Sequence, residues 1–178
     1  RGMIVETDHL SVKARKEALT LLEQLGYSGL ITSHSWGDAT SQKRLQALGG
    51  VVAPYARSTE QYAGEWASAK ANRSSKYLFG IGYGSDTNGL GKQTEPRPGA
   101  ATNNPVTYPY KTFDGGTTML QSKSGTRLWN INTDGAANYG MFPDWIEDMR
   151  TLAGHEIVDD LVQGAEAYLQ MWESAQKS

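Results

Sequence analysis

The chain has 178 residues, enough for one ordinary domain with a core of its own, and its charge and apolar content are those of a globular protein. With 17 Lys+Arg against 19 Asp+Glu the net charge is -2, which leaves no basic field for nucleic acid or an acidic membrane surface. The absence of cysteine excludes disulfides, thiolate metal sites and a cysteine nucleophile, and leaves the compartment open. No apolar run is long enough to span a bilayer.

The N-terminus, Arg1-Gly2-Met3-Ile4, lacks a signal peptide's charged start and long apolar core, and reads as a chain entered in mid-domain. Residues 3–5 are a short apolar run that predicts a strand. From Ser11, placed as an N-cap, Ala14, Ala18, Leu21, Leu22 and Leu25 recur at helical spacing up to a stop at Gly26. "GLITSHS", residues 29–35, predicts a second buried strand, followed by a helical pattern through Gln42–Leu48. A third strand is expected from Gly49 in "GGVVAPYA", a helix around Thr59–Ala71, and a fourth strand in "KYLFGIGYGSD", Lys76 to Asp86. Strands with continuous apolar runs alternating with helices imply parallel pairing with both faces covered.

Residues 90–140 break this rhythm. "GLGKQTEPRPGAATNNPVTYPY" is rich in Pro, Gly and Asn, and "TTMLQSKSGTRLWNIN" predicts a β-hairpin turning at Lys123–Gly125, so the segment is expected to be an insertion at the rim. Two helical segments close the chain, about Pro143 to Leu152 and about Glu156 to Glu173. In the second, Ile157, Leu161, Ala165, Tyr168, Leu169 and Trp172 form one stripe.

In parallel α/β folds the reactive groups sit at the C-terminal ends of strands. Here the first strand runs out at His9, the second at His34 and the fourth at Asp86, whereas the third ends near Tyr55 with no ligand. Two imidazoles and a carboxylate offered from separate strand ends suit zinc, the carboxylate either ligating or moving a proton. Each histidine also has a plain structural reading, and Asp86 in "GSDTNG" is a good turn residue. His155 falls at a helix start on the surface. "GIGYG" lacks the spacing of a dinucleotide fingerprint, and "DTNG" lacks the further oxygen ligands of a calcium loop.

At these residues the sequence resembles the membrane dipeptidase (renal dipeptidase-like) branch of the amidohydrolase superfamily. "GMIVETDHLS" is similar to that family's Asp-x-Ser-His-x-Ser strand and "ITSHSW" to its Ser-His-Ser strand, which places His9 and His34 on metal-ligand histidines. "GIGYGSDTNG" is similar to its Gly-x-Gly-x-Asp-Phe-Asp-Gly strand, which places Asp86 on the catalytic acid/base. "FPDWIEDMRTLAGHEIVDDLVQGAEAYLQMWE" resembles the family's closing segment and last helix.

The resemblance implies an α/β fold, the C-terminal half of a (β/α)8 barrel, residues 1–178 forming a single partial-barrel domain. It also implies zinc-dependent hydrolysis of an amide or peptide bond in a small substrate. The family's His-x-Asp pair and bridging Glu have no counterpart, so the isolated chain is expected to be inactive or nearly so. Its expected partner is the N-terminal half of the barrel, or a second copy paired across the cut edge. Glu6 stands at the family's motif Asp, Asp8 at its Ser, and Asn88 at the second acid of Asp-Phe-Asp; all three are expected to flank or orient the ligands. Arg44 is a loose candidate for a substrate carboxylate, and Trp36 for a pocket wall. The competing expectation is a non-catalytic binding or scaffold module whose metal site has decayed.

Overall fold

The structure, a computed structural model, describes residues 2–87 and 94–177. It is a mixed α/β chain with a small parallel three-stranded sheet and several helices. Its residues group into two compact units. The first runs to Tyr55 and takes in Gly64–Gly84 and the chain from Asp159 onward; the second comprises Ala56–Ala63 and Ser85–Val158.

The first unit is built on β1 (Val5–Glu6), β2 (Leu30–Thr32) and β3 (Val51–Val52), adjacent in that order and parallel, with Val5 opposite Leu30 and Ile31 opposite Val51. Successive side chains of a strand point to opposite faces. Val52 joins Leu30 and the buried Leu19, Leu22 and Leu45 on one side, while Val51 packs with Ala167 and Met171 in a second cluster. Both faces are therefore covered, as the continuous apolar strands require.

Helix α1 (Val12–Leu25) begins where the Ser11 hydroxyl accepts the Ala14 amide at 3.2 Å, and ends at Gly26. Its buried face is Arg15, Leu19 and Leu22; Leu21 and Leu25, expected inside, are exposed. Helix α2 (Ala39–Ala47) is capped by Asp38, whose carboxylate accepts the Ser41 amide at 3.0 Å. Helix α3 (Thr59–Ala71) has the bounds expected from the sequence.

The expected fourth strand survives only as two isolated parallel bridges, Val52 to Ile81 and Tyr55 to Gly84. Pro54 lies between the two partners on the β3 side and has no N–H to continue the ladder. The Gly82 amide still reaches the Val52 carbonyl at 3.1 Å and the Gly84 amide reaches the Pro54 carbonyl at 3.0 Å.

In the second unit β4 (Tyr110–Lys111) pairs antiparallel with β5 (Thr118–Met119), and β6 (Lys123–Ser124) with β7 (Arg127–Leu128). The expected hairpin is therefore present, with its turn at Gly125 and Thr126 and Lys123 already in the strand. Gly125 takes φ 60°, the sign that a tight hairpin turn demands and glycine supplies most easily. Helices α4 (Ile131–Asp134) and α5 (Phe142–Ala153) follow. Trp145, fully buried, meets Tyr62 edge-on at 5.0 Å. Beside this apolar packing lies a buried ion pair, Arg97 Nε to Asp148 at 3.1 Å, with the Thr59 hydroxyl donating to Asp148 at 2.7 Å.

The long closing helix of the sequence reading is two helices, α6 (His155–Val162) and α7 (Gly164–Lys177). A close backbone crossing lies beside the break. The 80–82 backbone crosses so closely that a Cβ on Gly164 would lie 2.2 Å from the Ile81 carbonyl oxygen, and the Ile81 amide donates to the Asp160 carbonyl at 3.0 Å. α7 buries Gly164, Ala167, Met171 and Ala175, while Tyr168, Leu169 and Trp172 of the expected stripe are exposed. Small residues win the buried face because the backbone there lies close to its neighbours. No helix among the described residues is long and apolar enough to cross a membrane.

Candidate functional site: imidazoles at the strand ends

The imidazoles expected from the sequence lie beyond the C-terminal ends of the parallel strands of the first unit. His9 lies three residues beyond β1, His34 two beyond β2, and Tyr55 three beyond β3. The two imidazole rings meet edge-on with centroids 5.3 Å apart. Trp36 packs on both, at 5.1 Å from His9 and 4.6 Å from His34, and Tyr55 stands edge-on to His34 at 5.4 Å. His34 is buried at 7% exposure, whereas His9 and Trp36 open to solvent. The group is thus a packed aromatic cluster with the His34 ring buried within it and the His9 ring at its surface.

Three side chains set this geometry. Asp8, buried at 4% exposure, accepts the amides of Ser33 at 3.0 Å, His34 at 2.8 Å and Gly37 at 3.1 Å, which folds the segment after β2 against the end of β1. Arg15 reaches back from α1 and donates to the carbonyls of Thr7 at 2.9 Å and Asp8 at 3.0 Å. Glu6 accepts the Asp8 amide at 2.8 Å, the His9 amide at 3.1 Å, the His9 ring at 2.9 Å and the Ser33 hydroxyl at 2.9 Å. Burial pushes the Glu6 carboxyl up, and the bonds from His9, Asp8 and Ser33 outweigh it, holding the group at about 2 against an ordinary 4.5. Glu6 is therefore a fixed negative charge at neutral pH.

The acceptors also fix the ring tautomers. His9 Nδ1 faces the Glu6 carboxylate, and His34 Nδ1 faces the Gly84 carbonyl at 3.4 Å, so each Nδ1 is the donor. A neutral imidazole that donates through Nδ1 has its lone pair on Nε2. Only glycine serves at 84, since a Cβ there would lie 1.8 Å from the Ser33 carbonyl oxygen and 2.8 Å from His34 Nδ1.

The sequence reading named His9, His34, Trp36, Glu6 and Asp8, and the structure brings these five together. Arg44 is elsewhere: its guanidinium is engaged by Glu23 on α1 at 2.7 and 2.8 Å and by the Thr20 hydroxyl at 2.9 Å, tying α2 to α1. Asp86 belongs to the second unit, where it is exposed with a left-handed φ of 48°. Asn88 lies outside the described residues. His155 opens α6, exposed, with Arg150 Nη1 3.4 Å from its Nε2. Sequence reasoning missed Arg15, Ser33, Tyr55 and Gly84. The signals were present: a serine before the second histidine, an aromatic at the third strand end, and the last glycine of "GIGYG".

Two imidazoles are a nitrogen pair of the kind zinc takes, and their tautomers fit that ion. Among the described residues no group of three or more His, Asp or Glu is gathered closely enough to hold a metal by itself. No protein-family model, curated protein or solved structure matches the chain.

Proposed function

We propose that the strand-end cluster is the zinc-holding part of an amide-hydrolysing site of the membrane-dipeptidase type, carried on the C-terminal half of a (β/α)8 barrel. One observation carries the reading: His9 and His34 leave adjacent parallel strands at the same end, with ring centroids 5.3 Å apart and both Nδ1 atoms turned to acceptors. Open parallel sheets bind their ligands at that end. His9 and His34 hold the ion, and Glu6 keeps the His9 ring in the ligating tautomer. Zinc bound there would polarise an amide carbonyl and supply a water acidic enough to react at neutral pH.

Trp36 and Tyr55 pack against the His34 ring. The resemblance gives Asp86 the proton transfer to the leaving amine. Two imidazoles with solvent in the remaining positions would hold zinc weakly, and a full tetrahedral protein site would take further donors. In this reading they come from the family's His-x-Asp and Glu, on the other half of the barrel.

Zinc titration calorimetry, with metal analysis of the purified protein, tests the assignment on the native chain, His34→Ala and His155→Ala. Loss of zinc in His34→Ala alone is the expected outcome, with little or no dipeptide hydrolysis by the isolated native chain. Retention of zinc by His34→Ala together with its loss in His155→Ala overturns the ligand assignment. If none of the three proteins takes up zinc, the non-catalytic binding or scaffold module becomes the better reading.

A further inference from the structure

Ser35 stands between His34 and Trp36, and its backbone takes φ 54°, in the left-handed region that a residue with a Cβ rarely enters. Among the described residues only two other non-glycines do so, Asp86 and Asn104, and aspartate and asparagine are the types that tolerate it. Serine is not one of them. Its hydroxyl offers no compensation either, since the Ser35 Oγ is buried and has no hydrogen-bond partner among the described residues.

A disfavoured backbone of this kind persists only where its surroundings impose it, and such positions gather at functional sites. Here one carboxylate imposes it. Asp8 accepts the His34 amide at 2.8 Å through Oδ2 and the Gly37 amide at 3.1 Å through Oδ1, so the turn is clamped on both sides of Ser35. From α2 the buried Gln42 side chain donates to the Ser35 carbonyl at 3.4 Å. Were β2 simply extended, residues 34 and 36 would stand about 7 Å apart along the strand. The left-handed residue turns the chain instead, and the Trp36 ring lies 4.6 Å from the His34 ring and 5.1 Å from the His9 ring. Trp36 thus touches both imidazoles.

We propose that Ser35 is a positioning residue for the imidazole pair: its left-handed backbone seats Trp36 against both rings and thereby sets the direction in which His34 offers Nε2. The consequence for zinc rests on the zinc-holding reading, whereas the ring contact does not.

Ser35→Asn and Ser35→Val test this on the purified chain, because asparagine tolerates the left-handed region and valine, of similar bulk but branched at Cβ, does not. Each is read in two ways, by the ring-current shift that Trp36 gives the His34 imidazole protons in NMR and by zinc affinity in calorimetry. Ser35→Asn is expected to keep both at native values. Ser35→Val is expected to lose the ring-current shift and to bind zinc about tenfold more weakly, as when the support of a ligand is disturbed, while far-UV circular dichroism stays native. Should Ser35→Val fail to fold, Ser35→Gly decides. Glycine destabilises most positions, but at a left-handed one it removes the strain, so Ser35→Gly is expected to keep the ring-current shift with a urea midpoint no lower than the native chain's. The proposal is overturned if Ser35→Val keeps the shift, if Ser35→Asn loses it as Ser35→Val does, if the shift is lost with zinc affinity unchanged, or if Ser35→Gly loses the shift or lowers the midpoint. A contrast in ring-current shift between Ser35→Asn and Ser35→Val, with no zinc uptake by any of the chains, upholds the seating of Trp36 and overturns the zinc-holding reading instead.

Discussion

Asp8 and Asp148 are both buried carboxylates, one in each unit, and they are held by different kinds of donor. Asp8 accepts three backbone amides, from Ser33, His34 and Gly37, and so dictates the path of the chain. Asp148 accepts from side chains, the Thr59 hydroxyl and the Arg97 guanidinium, and Arg97 in turn donates to the carbonyls of Asn103 at 3.1 Å and Asn104 at 2.7 Å. The first unit has apolar strands and helices to make a core, and uses its buried acid to shape a loop beside the imidazoles. The second unit has a core of its own around Tyr62, Met141, Trp145 and Met149, and its ion pair lies beside that core and holds the Pro-, Gly- and Asn-rich segment at Asn103 and Asn104. The same residue type thus shapes the loop beside the imidazoles in one unit and anchors a loop to a core in the other.

Three substitutions break or sharpen that contrast. Asp148→Ala has the largest expected effect, about 3–5 kcal/mol of stability, because it strands the buried Arg97 charge. Replacing Arg97 and Asp148 together with apolar residues of similar volume is expected to recover most of that loss. Urea unfolding of the single and double variants checks both statements, and a double variant as unstable as the single one would show that the pair's geometry matters more than its charge.

Asp8→Ala is expected to cost less, about 1–3 kcal/mol, because water can reach two of the three orphaned amides while the His34 amide stays buried. The same variant should weaken zinc uptake in calorimetry, since the His34 backbone loses its tether; Asp148→Ala, examined where it remains folded, should not.

Glu6→Gln has the smallest of the three effects, a loss that is complete at neutral pH and shrinks in acid. The folded carboxyl titrates at about 2 and the unfolded one near 4.5, so its contribution is complete above 4.5 and is lost as the pH falls toward 2. Melting temperatures measured from pH 5 to pH 2 should fall less steeply for Glu6→Gln than for the native chain. Parallel slopes would mean that the hydrogen bonds to Glu6 do not discriminate between its protonation states.

Much of the first unit is legible in the sequence. Ser11 and Gly26 bracket α1, the apolar runs locate β1 to β3, and Thr59–Ala71 is helical as read. Where the reading departs, the cause is tertiary. Pro54 thins the fourth strand to two bridges, and the last helix is interrupted at Gln163, beside the close crossing of Ile81 that only Gly164 admits. In α7, periodicity selects Tyr168, Leu169 and Trp172, yet the tight approach of neighbouring backbone admits Gly164 and Ala167 instead. The imidazole pair was legible because strand ends are where such groups gather. Tyr55 was legible as the end of the third strand but not as a neighbour of His34, since an aromatic side chain there signals packing before it signals a site. The β4–β5 pair is equally silent, being two residues on each strand with no alternation to read.

The bonds made by Arg15 and Glu6 have a thermodynamic meaning beyond shape. The carbonyls of Thr7 and Asp8 are pinned by one guanidinium, the Asp8 carboxylate is pinned to the neighbouring loop, and the His9 ring is held by Glu6. The backbone leading to His9 and the orientation of its ring are therefore restricted before anything binds. The entropy of ordering that a ligand ordinarily has to overcome is here met in folding, so an ion bound as proposed would meet a preorganised pair of rings.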